Sequence, residues 1–219
     1  MLRVIEIFAS VQGESGLAGW PTAFVRLAAC NLRCVYCDTP YSFGAGEAMD
    51  MDAVMARVEG FGVRHACITG GEPMLQPDAA VELMARLLAR GYVVSLETNG
   101  TIALDPVPPE VVKIVDVKTP GGLPGPRFEE RHLYYPNLAL LGPKDEVKLV
   151  LTSRADYEWS RAFVQEHRLA ERCAAVLFSP AWGQVEPRDL VAWILEDRLP
   201  VRLNLQLHKV IWGPQASGV

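Results

Sequence analysis

The chain of 219 residues has no uninterrupted apolar run of about 18 residues, so nothing in it reads as a membrane-spanning helix. It has no surplus of basic charge. Twenty-one Lys and Arg stand against 26 Asp and Glu, a net charge of −5, so no global positive field recruits nucleic acid and no such partner is expected. Cysteine is scarce: five residues, three of them within eight positions, which suits a reducing cytoplasm better than a disulfide framework. The start, MLRVIEIFASVQGE, lacks a small-residue cleavage site and carries Glu6 inside its apolar stretch, so it reads as a strand rather than a signal peptide. Half of the residues are hydrophobic and 21% are charged, the composition of a globular protein with a sizeable core. The length suits a single domain spanning 1–219.

Alternation and β-branched residues mark strands at 2–10, 22–27, 65–69, 92–96, 114–117, 146–151, 175–179 and 201–205. Helical periodicity appears at 50–60, with Asp50 placed to cap, and at 77–90, where Val81, Met84, Ala85 and Leu88 form one stripe. Ser153 can cap a helix reaching about His167, and 186–197 is helical. The stretch from Pro120 to Pro143 is rich in Pro and Gly and reads as a long loop. Strands alternating with helices imply parallel β/α units. Seven strands follow the N-terminal one, and a full eight-fold barrel typically needs about 250 residues, so the expected fold is an incomplete, partial TIM-like β/α barrel. Its polar segments fall at strand C-terminal ends: the cysteine loop, GGEP, ETNG, DVKTP, SPAWG and QLHK. In β/α architectures that rim carries the site.

The most informative segment is CNLRCVYCDT, where Cys30, Cys34 and Cys37 are spaced C-x3-C-x2-C. Three thiolates are one fewer than a closed tetrahedral zinc site or an all-cysteine cluster requires. A [4Fe–4S] cluster held this way keeps one iron open to an outside chelator. A zinc site completed by His65 or Cys67 is the rival reading, and inert core thiols are a weaker one because Asn31, Arg33 and Asp38 make the segment polar. Cys67 and Cys173 lie in predicted strands and read as core thiols. Arg26, a charge at the end of a buried-looking strand, needs a partner: a salt bridge to Glu14, or a ligand.

The cysteine spacing together with GGEP resembles the radical S-adenosylmethionine (SAM) superfamily. The resemblance implies that Cys30, Cys34 and Cys37 bind the cluster and that SAM chelates its fourth iron. It implies that the methionine amino group is received at Gly70, Gly71 and Glu72. Tyr36 and Asp38 would flank SAM, with Asp116, Val117, Lys118, Ser179, Pro180, Ala181 and Trp182 completing the cradle. Trp182 stands where a smaller residue is expected. Electron transfer into the sulfonium yields a 5′-deoxyadenosyl radical that abstracts hydrogen, and the protein orients and shields that chemistry.

QGES, the segment from Pro21 to Leu27, CNLRCVYCDT, ITGGEP and QLHKVIWG together are similar to the 7-carboxy-7-deazaguanine synthase family, a match spread over nearly the whole chain. This implies conversion of 6-carboxy-5,6,7,8-tetrahydropterin to 7-carboxy-7-deazaguanine with ring contraction, loss of ammonia and catalytic use of SAM, in queuosine and deazapurine biosynthesis. It implies Mg2+ on Thr39; a hard cation with oxygen ligands is what a hydroxyl and a substrate carboxylate suit. Gln12, Gly13 and Glu14 would meet the pterin edge, and Arg26 would hold a carboxylate in its fork. Thr69, Gln206, His208 and the C-terminal carboxylate of Val219 would complete the substrate side. An electron donor such as flavodoxin or ferredoxin is implied. The long loop at 120–143 suggests an open side covered by a second subunit, hence a homodimer. Against these roles, Gln12 and Glu14 could form only a polar turn, Thr39 could cap its loop, and His208 could be a core histidine. Two rival functions remain at this level. One is a glycyl-radical activase, which has no need of pterin-recognising groups. The other is a non-catalytic iron–sulfur or zinc module, which leaves GGEP unexplained.

Overall fold

The segment EVKLVL at Glu146–Leu151 is buried at every position, as a central strand covered on both faces must be. It lies in a nine-stranded sheet in the computed structural model, which describes residues 1–214, 216 and 218. The strands are β1 (Leu2–Val11), β2 (Pro21–Leu27), β3 (Glu47–Met49), β4 (His65–Gly70), β5 (Val93–Thr98), β6 (Val112–Asp116), β7 (Glu146–Leu151), β8 (Ala175–Pro180) and β9 (Arg202–Leu203). The helices are α1 (Met51–Gly60), α2 (Pro77–Ala89), α3 (Phe128–Arg131), α4 (Asn137–Leu140), α5 (Arg154–Glu166), α6 (Leu169–Arg172), α7 (Pro187–Asp197) and α8 (Leu207–Trp212).

The sheet order is β3-β1-β2-β4-β5-β6-β7-β8-β9. From β2 to β9 every neighbouring pair is parallel, so the seven parallel strands expected from the pattern are all present. The order is linear and its two ends do not pair, which makes the barrel partial. β1 is antiparallel to β2, and β3 is antiparallel to β1. The three-residue β3 gave no periodic signal, being too short to show one.

Several boundaries move for physical reasons. β9 is two residues long, not five: Asn204 N still bonds Phe178 O at 2.9 Å, while its side chain turns to other segments, accepting from Ser15 N at 3.0 Å and donating to Ser179 Oγ at 2.9 Å. β5 continues through Glu97 and Thr98, so the first half of ETNG is strand. QLHK does not end a strand; Gln206 precedes α8. Ser153 caps α5 by accepting from Asp156 N, whereas Asp50 precedes α1 without a side-chain cap. The stretch 120–143 is not a bare loop. It holds α3 and α4, and the buried His132 stacks on Phe128 at 4.4 Å and edges onto Trp159 of α5 at 5.7 Å.

The turn between β1 and β2 reaches across to the far strands. Gly16 N donates to both oxygens of Glu146 at 2.9 and 3.0 Å, and Leu207 N donates to Gly13 O at 2.9 Å. Side-chain and backbone bonds thus bridge positions that strand pairing leaves apart. No helix among the described residues is long and apolar enough to cross a membrane.

Candidate active site

One cavity opens along the C-terminal ends of β4 to β8, and all three clustered cysteines border it. They reach it because the chain turns sharply after β2. Ala29 sits in the left-handed region at φ 72°, a strained conformation for a residue with a Cβ. Two bonds hold it there: Ala29 N donates to Ser42 O at 2.8 Å, and Ala29 O accepts from Glu72 N at 2.8 Å. Arg33 braces the next turn, donating to the carbonyls of Cys30 at 2.9 Å and Leu32 at 2.7 Å while stacking over Phe43.

The three thiols are free and half-buried. Burial pushes the Cys30 and Cys34 thiols up from their ordinary range, so binding metal there displaces protons. Among the described residues, no three Cys, His, Asp or Glu side chains converge as a single-ion site requires. A four-iron cluster takes each thiolate at a different iron and needs no such convergence. Beside the thiols, the buried hydroxyl of Tyr36 has no hydrogen-bond partner, a polar atom left for a ligand. Three separated thiols and an orphaned hydroxyl around one cavity fit a cluster with SAM beside it. Thr39 makes no capping bond through its hydroxyl, which lies 3.9 Å from Cys37 Sγ.

The GGEP turn has a structural task of its own. A Cβ on Gly71 would collide with the backbone of Ala29 and with Cys30, and one on Gly70 with Leu27, so the glycines let β4 press against the cysteine loop. The amide of Gly71 is spent on Leu27 O. Glu72 is fully buried and does not border the cavity. Its carboxylate accepts from Met74 N at 2.9 Å, Thr98 Oγ1 at 2.8 Å and Asn99 N at 2.7 Å. Burial raises its pKa against the pull of those donors. The Glu72 side chain therefore clamps the end of β5 to the turn. Replacing Glu72 with Ala strands these donors, at about 1–3 kcal/mol for a buried unsatisfied group, and urea unfolding should show roughly 3 kcal/mol lost.

The carboxylates and ammonium groups form a belt around the cavity. Asp116 Oδ1 lies 2.9 Å from Lys118 Nζ, and its Oδ2 lies 3.1 Å from Lys148 Nζ. Lys148 also bonds Glu14 Oε2 at 2.8 Å. Glu14 Oε1 accepts from Gln206 at 2.8 Å, and Gln206 in turn reaches Asp38 at 3.3 Å. Lys209 closes the belt on Asp38 at 2.8 Å. At the other end Lys118 stands 5.5 Å from the centre of the Tyr36 ring. Burial alone would raise Glu14 and Asp116, but Lys148 beside Glu14, and Lys118 with Lys148 beside Asp116, hold both below the usual carboxylate range. Burial likewise opposes the charge on Lys148, and its two carboxylates outweigh it.

These depressed values carry a sign. Glu14 and Asp116 add stability that is complete above about pH 5 and is lost as pH falls through their folded values. Urea midpoints at pH 7, 5 and 3 should therefore drop mainly between 5 and 3. The drop should be smaller in Glu14→Gln.

On the substrate side, Gln12 donates to Glu97 Oε1 at 3.1 Å, and Thr69 donates to Glu97 Oε2 at 2.9 Å. Glu97 was missed from the sequence; a charge at the end of a buried strand was the available signal. Arg26 pairs with Glu6, its cross-strand neighbour, at 2.6 Å and not with Glu14. Tyr41 donates to the same Glu6 oxygen at 2.9 Å. His208 borders the cavity half-buried, with burial lowering its pKa, and is not a core histidine. A Cβ on Gly13 would strike its ring, so Gly13 serves the approach of α8. Ala181 and the half-exposed Trp182 border the cavity. Val117, Ser179 and Pro180 do not: Val117 N is bonded to Lys148 O, and Ser179 Oγ to Asn204. Val219 lies outside the described residues.

Residues 25–116 match the radical SAM superfamily. The whole chain aligns with the 7-carboxy-7-deazaguanine synthase of Koribacter versatilis at 45% identity, covering 100% of both sequences. The chain belongs to the 7-carboxy-7-deazaguanine synthase family. A second member, from Chlorobaculum tepidum, is 46% identical over 100% of this chain and 97% of that relative. The crystal structure of QueE from Escherichia coli superposes with a TM-score of 0.74 at 21% identity, covering 94% of each chain, a likeness of fold. A structure of TYW1 with a lysine-pyruvate adduct bound shares the fold more loosely, with a TM-score of 0.58 over 80% of this chain and 72% of that one. Membership of this radical SAM family carries a [4Fe–4S] cluster and SAM as cofactors, and the cysteine loop is where this chain can hold the cluster.

Proposed function

We propose that this cavity converts 6-carboxy-5,6,7,8-tetrahydropterin to 7-carboxy-7-deazaguanine, the product in the relatives' name, with SAM used catalytically. What carries the reading is that Cys30, Cys34 and Cys37 border the same cavity as Gln12, Glu14, Arg26 and Glu97. The cluster and SAM supply hydrogen-abstracting power there. The residues bind, orient and exclude water.

Cys30, Cys34 and Cys37 hold the cluster. Asp116, Lys118, Tyr36, Ala181, Trp182 and the Gly70 and Gly71 backbone, which line the same cavity, would hold SAM. Glu14 and Glu97 are acceptors matched to the N–H edge of a pterin, and Gln12 and Thr69 fix Glu97 for that task. Arg26, steadied by Glu6, meets the substrate carboxylate with its remaining N–H groups. His208 and Gln206 line the same cavity and complete the substrate side. Thr39 offers its hydroxyl to Mg2+ together with that carboxylate, and Val219 adds the terminal carboxylate. The chain works as one catalytic domain in the cytoplasm. It acts as a homodimer and is reduced by a small donor such as flavodoxin or ferredoxin. A monomer mass by light scattering at micromolar concentration would sink the dimer.

The deciding experiment supplies anaerobically reconstituted, reduced protein with SAM, Mg2+ and the pterin and follows product by mass. Formation of the deazaguanine supports the assignment. SAM cleavage without product removes the pterin. A protein that binds zinc and ignores SAM removes the cysteine-loop reading altogether.

A further inference from the structure

Lys148 is a charge in the middle of a strand whose six residues are all buried, and only 11% of its side chain is exposed. A cation there must answer a specific need. It has two partners from elements far apart in the sequence: Asp116 Oδ2 at 3.1 Å on β6 and Glu14 Oε2 at 2.8 Å in the turn after β1. The contacts continue in both directions. From Asp116 they run through Lys118 to the Tyr36 ring, and from Glu14 through Gln206 to Asp38. Tyr36 and Asp38 flank Cys37, so both ends of the belt return to the cysteine loop.

We propose that Lys148 is a positioning residue that couples the two binding events, making SAM and the pterin each raise the other's affinity. The inference rests on the placement above, SAM against Asp116 and the pterin against Glu14. Two physical effects give the coupling its sign. A ligand covering Asp116 excludes water from the Lys148 pair, and a charge pair strengthens as its surroundings dry. The same ligand fixes the Lys148 side chain, and Glu14 is then already oriented when the second ligand arrives, so the ordering cost is met once. Coupling is reciprocal, so SAM affinity measured with and without pterin reports it from either side.

The experiment uses reconstituted protein with the cluster left oxidised, so that no turnover occurs. SAM dissociation constants are measured by calorimetry with and without saturating 6-carboxytetrahydropterin. The wild-type ratio should be about tenfold, within the usual range of coupling between sites. In Lys148→Met it should fall to about one, and in Lys148→Arg, which keeps both ion pairs, most of it should remain. A wild-type ratio of one overturns the proposal, and so does an unchanged ratio in Lys148→Met. If Lys148 merely touched the pterin, Lys148→Met would weaken pterin binding equally with and without SAM, which also overturns it. Should Lys148→Met fail to fold, Glu14→Gln cuts one end of the bridge and must likewise abolish the ratio. Failure of the underlying placement looks different: Asp116→Asn leaves SAM affinity untouched, and Glu14→Gln leaves pterin affinity untouched.

Discussion

Cys34→Ala should bind SAM poorly, fail to cleave it and form no detectable product. Even losing an outer partner of a metal ligand costs about 10–100-fold in metal affinity or activity, so losing one of three ligands should exceed that. Cys34 is the middle cysteine of a loop that its neighbours hold in shape through Arg33 and the strained Ala29. Removing its sulfur leaves that scaffold intact, so the variant should fold and unfold in urea like the wild type. The loss then belongs to the cluster and not to stability. Cys67→Ala is the control. Cys67 is fully buried in β4, its thiol pushed well up by burial, and it does not border the cavity. That variant should assemble the cluster normally. Iron content and the electron paramagnetic resonance signal of the reduced protein separate the two. A Cys34→Ala protein with a full cluster and normal SAM cleavage would refute the ligand assignment.

The parallel sheet was legible because its strands are short apolar runs separated by helices or long connections, each ending in polar residues. The rim was legible for the same reason. What escaped was pairing across the barrel. Nothing local in the sequence says that Glu6 rather than Glu14 meets Arg26; that follows from the antiparallel register of β1 on β2. Lys148 stood in plain view as a charge within EVKLVL, but its two partners lie 32 residues before it and 134 before it, and only folding brings them together. Glu72 carries a structural task that the sequence does not show. A carboxylate in a motif beside glycines reads as a ligand, and its side chain also bonds Met74 N, Thr98 Oγ1 and Asn99 N. That backbone demand is invisible in a list of residue types.

The same backbone demand makes Gly71→Ala the most damaging small change outside the cysteines. The added methyl would meet the Ala29 carbonyl and the Cys30 Cβ, atoms of a segment already bonded on both sides. Relief requires β4 and the cysteine loop to separate, which breaks the bonds from Gly71 N to Leu27 O and from Glu72 N to Ala29 O. Overpacking typically costs about 1–3 kcal/mol, and with two bonds strained the loss should reach the upper end. At roughly 2–4 °C per kcal/mol for a chain of this size, the melting temperature should fall by about 6–12 °C. Cys30 moves with Ala29, so iron incorporation should suffer as well. Gly60→Ala supplies the contrast. It sits at the end of α1 with no atom within 4 Å of the added carbon, and alanine is the better helix former, so stability should hold or rise slightly. If Gly71→Ala melted with the wild type and took up its full complement of iron, the tight seating of the GGEP turn on the cysteine loop would be wrong. The placement of the cluster beside β4 would then have to be rebuilt.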